Sequence, residues 1–91
     1  MNGRFAISTA GHDAGKIYII VGEKEGRLLV ADGIKYTIVN PKRKNAKHLN
    51  IPKQEAATEL AIMILENRRG CDEAIRQILH HLMKDNLRYM S

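Results

Sequence analysis

The sequence predicts a mostly β plus α protein, in which a small barrel or rolled sheet of four or five short strands is followed by a two-helix hairpin. In roughly the first fifty residues, short runs of β-forming residues, some of them alternating with a period of two, are separated by turn-forming residues such as glycine. In the second half, apolar positions follow the helical i, i+3, i+4, i+7 spacing instead. Because 91 residues suffice for one ordinary core, we expect a barrel domain at residues 1–53 with a helical extension at residues 54–91.

The first two strands are predicted at residues 4–9 and 16–21. In the first, Phe5 and Ile7 alternate with polar or small residues, so one face should be buried. The second contains five β-forming residues in succession, which is typical of a central strand covered on both sides. Residues 11–15, Gly-His-Asp-Ala-Gly, are predicted to form the turn between them, since glycine at both ends allows positive φ angles.

A third strand is predicted at residues 28–31, after a charged connection of hairpin length at residues 22–27. Asp32 and Gly33 form the dipeptide most typical of a two-residue hairpin turn. A fourth strand should therefore follow at once, with alternate side chains on one face: Ile34, Tyr36 and Ile38.

The basic segment, residues 40–48, follows that strand. It places four cations within six consecutive residues, and no other segment is so basic. Pro41 has no N–H to donate and should end the preceding strand. We expect the segment to be a loop, with Leu49 and Ile51 in a last short strand before Pro52.

Two amphipathic helices are predicted in the second half. Gly70 follows Arg69 and Arg68, as expected near a helix C-terminus, while Asp72 and Glu73 suit the start of the next helix. The short connection predicts an antiparallel hairpin. The apolar stripes consist of Ala57, Leu60, Ala61, Ile64 and Leu65 in the first helix, and of Ile75, Ile78, Leu79, Leu82 and Met83 in the second.

Charge is distributed unevenly along the chain, whose net charge is +5. Residues 1–53 carry ten Lys or Arg against four acids, or +6, whereas residues 54–91 carry five against six, or −1. This asymmetry favours an anionic partner for the first half. With only one Phe, three Tyr and no Trp, the chain is unlike single-strand binders that stack successive bases on a row of aromatic rings.

Catalytic and metal-binding patterns are weak. The turn lacks the spacing of a phosphate-binding P-loop, because three residues instead of four separate its glycines and Ile17 replaces the Mg²⁺-binding hydroxyl. His80 and His81 are neighbours that point about 100° apart on a helix, a poor arrangement for sharing a metal. No nucleophile triad or perturbed acid pair stands out. We expect no enzyme, no metal site and no cofactor.

A soluble, cytoplasmic protein is expected. The single cysteine, Cys71, excludes an intrachain disulfide and fits a reducing compartment, and no base is predicted to activate it. No apolar run has the length of a signal peptide or of a membrane span.

Three stretches of the first half carry a family resemblance. They are Gly3-Arg4 leading to Ser8 and then residues 10–16, the run Val-Ala-Asp-Gly at residues 30–33, and residues 40–49. In this order and spacing, the chain resembles KOW-motif RNA-binding proteins, most closely a small bacterial group similar to ribosomal proteins of the L14e, L6e and L27e type. The resemblance implies an SH3-like barrel and binding to RNA, chiefly ribosomal RNA. Residues 72–76 are loosely similar to a C-terminal tail of that group.

The candidate RNA-binding residues lie in two stretches, which this hypothesis requires to meet in space. Glycines can bring backbone N–H groups close to phosphate, arginine can bind it with two donors, and lysines act as point charges. His12 departs from the family pattern, where Arg or Lys is commoner. The candidates are Gly11, His12, Asp13, Gly15 and Lys16 in the turn, and Lys42, Arg43, Lys44, Asn45, Lys47 and His48 in the basic segment.

The sequence thus predicts a non-catalytic, ribosome-associated RNA-binding protein that acts in translation. The alternative is a protein-interaction module that docks an acidic or apolar partner through its barrel or its helices. Ile62 and Met63 widen the apolar stripe of the first helix, which also leaves open a homo-oligomer formed through the helices.

Overall fold

A computed structural model describes residues 2–53, 58–66 and 69–90 of the chain. It contains a five-stranded antiparallel sheet and two α-helices, so the predicted mixture of β and α structure is confirmed. In chain order, the elements are β1 (Phe5–Ser8), β2 (Ile17–Lys24), β3 (Arg27–Ala31), β4 (Lys42–Lys44), a 3₁₀ helix (Ala46–His48), β5 (Leu49–Asn50), α1 (Thr58–Glu66) and α2 (Cys71–Met90).

The strands lie in the order β4-β3-β2-β1-β5. The first, second, third and last predicted strands are confirmed, but β2 and β3 run further than expected. The turn between them consists only of Glu25 and Gly26, whose φ angles are 52° and 77°. Two consecutive positive φ angles are typical of a type I′ hairpin turn, whose twist matches that of the strands it joins.

The predicted fourth strand is wrong, because residues 32–41 form a loop, here called the Asp32 loop. The Asp32 carboxylate accepts hydrogen bonds from the N–H groups of Ile34 (2.9 Å) and Tyr36 (3.0 Å). The N–H groups of Asp32 and Gly33 in turn donate to the carbonyl of Tyr36. The chain therefore folds back on itself, since an aspartate side chain competes with a strand partner for these backbone groups.

The middle of the basic segment, and not residues 34–38, forms the strand beside β3. The prediction that the segment is a loop is therefore wrong for Lys42–Lys44. This strand pairs with β3 in the register Val30↔Lys42 and Leu28↔Lys44. It is an edge strand, where lysines are common because charged side chains discourage pairing with another chain.

The sheet is covered on both faces. On one face, Phe5, Ile19 and Ala31 form a core cluster with residues of both helices. On the other, Ala6, Tyr18, Ile20, Leu28, Val30 and Leu49 form a second cluster, and none of its described members is helical. β2 is thus the central strand expected, whereas β1, which was expected to bury one face, is buried on both.

Both helices pack on the sheet through part of their predicted stripes. Leu60 and Ile64 of α1 are buried, but Leu65 is 80% exposed, contrary to the pattern. In α2, Ile75 and Leu79 are buried together with Cys71, and Ile78 and Leu82 are partly buried against them. The stripe residue Ala57 lies outside the described part of the chain, as do Arg68 in the connection and the side chain of Met83. None of the described helices combines the length and apolarity needed to cross a membrane.

Candidate functional site

The glycine turn, residues 11–16, follows β1 and leads into β2. Gly11 and Gly15 have φ angles of 88° and 89°, as the sequence predicts for this turn. The N–H of Gly15 donates to the carbonyl of Ser8 at 2.7 Å, which closes the turn. A Cβ atom on Gly15 would meet nothing within 4 Å. The turn therefore presents its backbone to open space, and His12, at its tip, is exposed.

Asp13 gathers four side-chain donors, which together with it form the Asp13 cluster. One carboxylate oxygen accepts from Ser8 Oγ (2.9 Å) and Lys44 Nζ (2.9 Å). The other accepts from Tyr18 OH (2.7 Å) and Lys42 Nζ (3.2 Å). Sequence reasoning missed Ser8 and Tyr18 as members, because alternation placed Ser8 on the polar side of the first strand and Tyr18 lies in a run of β-forming residues that predicts a covered strand.

The cluster brings the two predicted stretches together. Successive side chains of a strand point to opposite faces, so Lys42 and Lys44 lie on one face of β4 and Arg43 on the other. Lys44 Nζ also donates to the carbonyl of Ala10 at 3.1 Å. Hydrogen bonds and ion pairs therefore join the basic edge strand directly to the glycine turn.

Electrostatics within the cluster favour a charged Asp13 and a neutral Tyr18. Burial alone raises the pKa of Asp13, but the hydrogen bonds from Tyr18, Lys44, Ser8 and Lys42 outweigh it and hold that pKa below the ordinary 3.8. Burial and the hydrogen bond to Asp13 raise the pKa of Tyr18 above its ordinary 10.0. The phenol thus remains a hydrogen-bond donor at neutral pH.

A second acid, Asp32, binds Lys16 from the end of the turn at 2.6 Å. Burial opposes ionisation of Asp32, but the bonds from Lys16 and from two backbone N–H groups leave its pKa lowered. The ring of Tyr36 lies close by, with the ammonium groups of Lys42, Lys35 and Lys16 at 5.2, 5.5 and 5.9 Å from its centre. These distances permit cation–π attraction. Sequence reasoning placed Tyr36 in a strand and therefore missed its position among three lysines.

The predicted site residues thus fall into two groups. The first group is ion-paired: Asp13 with Lys42 and Lys44, and Lys16 with Asp32, which was not among the predicted site residues. The other group is exposed and consists of Gly11, His12, Gly15, Arg43, Asn45, Lys47 and His48. Within the described residues, no ion pair involves a member of this second group. Five cations and two carboxylates leave the combined site with a formal charge of about +3.

The 3₁₀ helix positions the end of the basic segment. Asn45 caps it, because its side-chain oxygen accepts from the N–H of Lys47 at 3.3 Å. The carbonyl of His48 accepts from the N–H of Thr9 at 2.9 Å, which holds this end beside β1. Lys47 and His48 are both exposed in the last turn of this helix.

A cleft of about 690 Å³ adjoins the site between the glycine turn, the Asp32 loop and α2. We call it the α2 cleft. His80 and His81 belong to its wall, with ring centres 6.5 Å apart. The described residues contain no group of three or more His, Cys, Asp or Glu that could hold a metal ion. Cys71 lies outside the cleft lining, and burial and the nearby Asp72 raise the pKa of its thiol.

No protein-family model matches the chain, and no curated protein is similar enough to count as a relative.

Proposed function

We propose that this protein binds structured RNA without catalysis, as a KOW-type protein associated with the ribosome. The observation that carries the proposal is the direct joining of the glycine turn to the basic edge strand through Asp13. Two of the three stretches that carry the family resemblance are separate in sequence, yet Asp13 joins them into one region with a formal excess of positive charge. Such a surface suits the phosphate backbone of RNA, which dominates protein–nucleic acid affinity.

An SH3-like barrel is the finer fold that we propose. In a flat sheet of five strands, the edge strands β4 and β5 would lie about 19 Å apart. They are joined by four residues, three of them in a 3₁₀ helix, which span roughly 13 Å. This short connection supports a rolled sheet. The second core cluster, whose described members come from strands and loops, also supports a rolled sheet. A rolled sheet encloses its own inner face, so that face needs no helix to cover it.

The two groups of site residues have different roles in this proposal. Lys42 and Lys44 hold the turn against β4, and Lys16 joins the end of the turn to the Asp32 loop. All three contribute to the positive potential. Arg43 and Lys47, which are exposed, contact phosphates directly, and Arg43 does so with two donors. The open backbone at Gly15 lets the RNA strand approach closely.

The test uses a double variant, Arg43→Ala with Lys47→Ala. Lys42 and Lys44 are unsuitable, because their removal would also break the Asp13 cluster. We expect weaker binding to ribosomal RNA and a salt dependence whose slope falls by about one unit for each phosphate that is no longer bound. The matched control is Lys24→Ala with Lys53→Ala, which removes the same charge at exposed positions outside the site. Equal affinities and equal salt slopes for the two double variants would refute the proposed surface.

Ribosome association is tested separately by sedimenting cell lysate through a sucrose gradient. We expect the wild-type protein to migrate with ribosomal particles and the Arg43/Lys47 variant to remain near the top. In-cell crosslinking should recover ribosomal RNA. Crosslinks scattered over unrelated transcripts would contradict ribosome association while leaving RNA binding intact.

One observation favours the alternative of a protein-interaction module. Leu65 and Ile62 of α1 are exposed, although large apolar side chains at helical spacing usually face a core. If a partner recovered with the protein from lysate stays bound after ribonuclease digestion, and Leu65→Ser releases it, this second function gains support. A complex that ribonuclease dissolves supports RNA binding instead.

A further inference from the structure

The α2 cleft has the size and the composition of a ligand site. Its volume of about 690 Å³ lies within the ~300–1,000 Å³ of typical small-molecule sites. Apolar residues of β2, the Asp32 loop and α2 contribute to the lining, namely Ile17, Ile34 and Leu79. Ile34 is 76% exposed, so its side chain is available to a ligand rather than to the core.

Most polar residues of the cleft lining are basic. Lys16 lies on the turn side, Lys35 on the loop side, and Arg76 and His80 on α2. Among the described residues that line the cleft, Asp32 is the only acid. Its carboxylate already accepts from Lys16 and from two backbone N–H groups, and the charge of Lys16 offsets its own, so its repulsion of an anion is weakened.

Two hydrogen bonds join side chains of α2 to the backbone of the Asp32 loop and so shape this wall of the cleft. Arg76 donates from one guanidinium nitrogen to the carbonyl of Gly33 at 2.6 Å. The N–H of Ile38 donates to the Asp72 carboxylate at 2.9 Å. Arginine has five N–H donors in all, so Arg76 can brace the loop and still bind an anion. The cleft is therefore built before any ligand enters it.

We propose that the α2 cleft binds a single unpaired nucleotide of the RNA. The base packs on the apolar lining around Ile34 and Leu79, and its phosphate is bound by Lys16 and Arg76. Because Gly15 and Lys16 belong both to the glycine turn and to the cleft, an RNA backbone that contacts the turn leads directly to the cleft. The inference rests on the proposed function, and it adds a preference for RNA with a displaced base.

The test compares two RNA hairpins that differ only in one bulged adenosine. We expect the wild-type protein to bind the bulged hairpin roughly tenfold more tightly, which corresponds to about 1.4 kcal/mol. Ile34→Glu should abolish this difference, because it places a negative charge and a polar group in the cleft, while affinity for the plain hairpin changes little. The matched control is Val39→Glu, which adds the same charge to the same loop at a 91% exposed position outside the cleft lining. It should keep the tenfold preference.

A direct titration separates failure of this inference from failure of RNA binding. Adenosine monophosphate and ribose 5-phosphate are added separately to the ¹⁵N-labelled protein, and the amide signals of residues 76–81 are followed. Adenosine monophosphate should shift them at a concentration roughly tenfold lower than ribose 5-phosphate, and Ile34→Glu should remove the difference. Equal binding of the two hairpins, or equal response to the two phosphates, would overturn the nucleotide site even where RNA binding persists.

Two further outcomes are also decisive. If neither hairpin binds but adenosine monophosphate still shifts residues 76–81 more than ribose 5-phosphate, the proposed function fails and the nucleotide site stands. If an acidic, leucine-containing peptide shifts these amides and adenosine monophosphate does not, the cleft is a protein-binding site and the inference is wrong.

Discussion

The glycine turn and the Asp32 loop resemble each other in sequence but are held in shape by different means. Each follows a strand and contains an aspartate and a glycine with positive φ. Among the described residues, the Asp13 carboxylate accepts from side chains of β1, β2 and β4, whereas the Asp32 carboxylate accepts from two backbone N–H groups of its own loop and from one lysine. The Asp13 carboxylate thus joins the turn to residues of three strands, while the Asp32 carboxylate mainly folds its own loop.

The surroundings of the two segments differ as well. The backbone at Gly15 faces open space, but a Cβ atom on Gly33 would clash with the Asp72 carbonyl and with Arg76 of α2. The turn is therefore accessible to a partner, while the loop is packed against the helix. An aspartate near a glycine thus predicts backbone curvature, but not what the curved segment will contact.

The largest effect is expected from Asp13→Ala. It leaves Lys44 and Lys42 unpaired with side chains only 11% and 29% exposed, so we expect the free energy of unfolding to fall by about 3–5 kcal/mol. Asp32→Ala should cost less, about 1–3 kcal/mol, because the side chain of Lys16 is 41% exposed and can regain water. Urea unfolding of the two variants measures both values. An equal or larger decrease for Asp32→Ala would contradict this difference between the turn and the loop.

A smaller effect is expected from alanine at the two glycines. Gly15→Ala should cost about 1–2 kcal/mol, since positive φ is unfavourable for a residue with a Cβ atom. Gly33→Ala incurs the same strain and also forces its Cβ atom against the backbone of α2. Its cost should therefore exceed that of Gly15→Ala by at least about 1 kcal/mol. Thermal unfolding checks the order, and equal melting temperatures would show that the loop can move off α2.

The smallest effect is expected from mild acid. The folded-state pKa values of Asp13 and Asp32 both lie below the ordinary 3.8, so their contribution to stability is present above about pH 4 and is lost as the pH falls further. Unfolding at pH 5 and pH 3 measures this decrease. Asp13→Asn should reduce the pH dependence more than Asp32→Asn, because Asp13 accepts from two lysines and Asp32 from one. The opposite order would assign the acid sensitivity to the loop.

Sequence patterns predicted the segments whose structure is set by their own residues. Alternation located β1, a run of β-forming residues located β2, and a hairpin-length connection pointed to β3. Helical spacing located the two helices with most of their buried residues. The same alternation failed at Ile34, Tyr36 and Ile38, because it records which residues are apolar and not whether their N–H groups have a nearer acceptor. The strand at Lys42–Lys44 was missed since a polar edge strand lacks an apolar face of its own.

The candidate site was predicted in part for a similar reason. By itself, the sequence determined the two basic stretches, the glycines with positive φ and the excess of cations in the first half, because these depend on residue type and local geometry. Only the tertiary structure decided which cations are paired and which are exposed, and that β4 lies beside the turn. Ion pairing depends on distances between residues about thirty positions apart, such as Asp13 and Lys44, and these distances are set by strand order and packing.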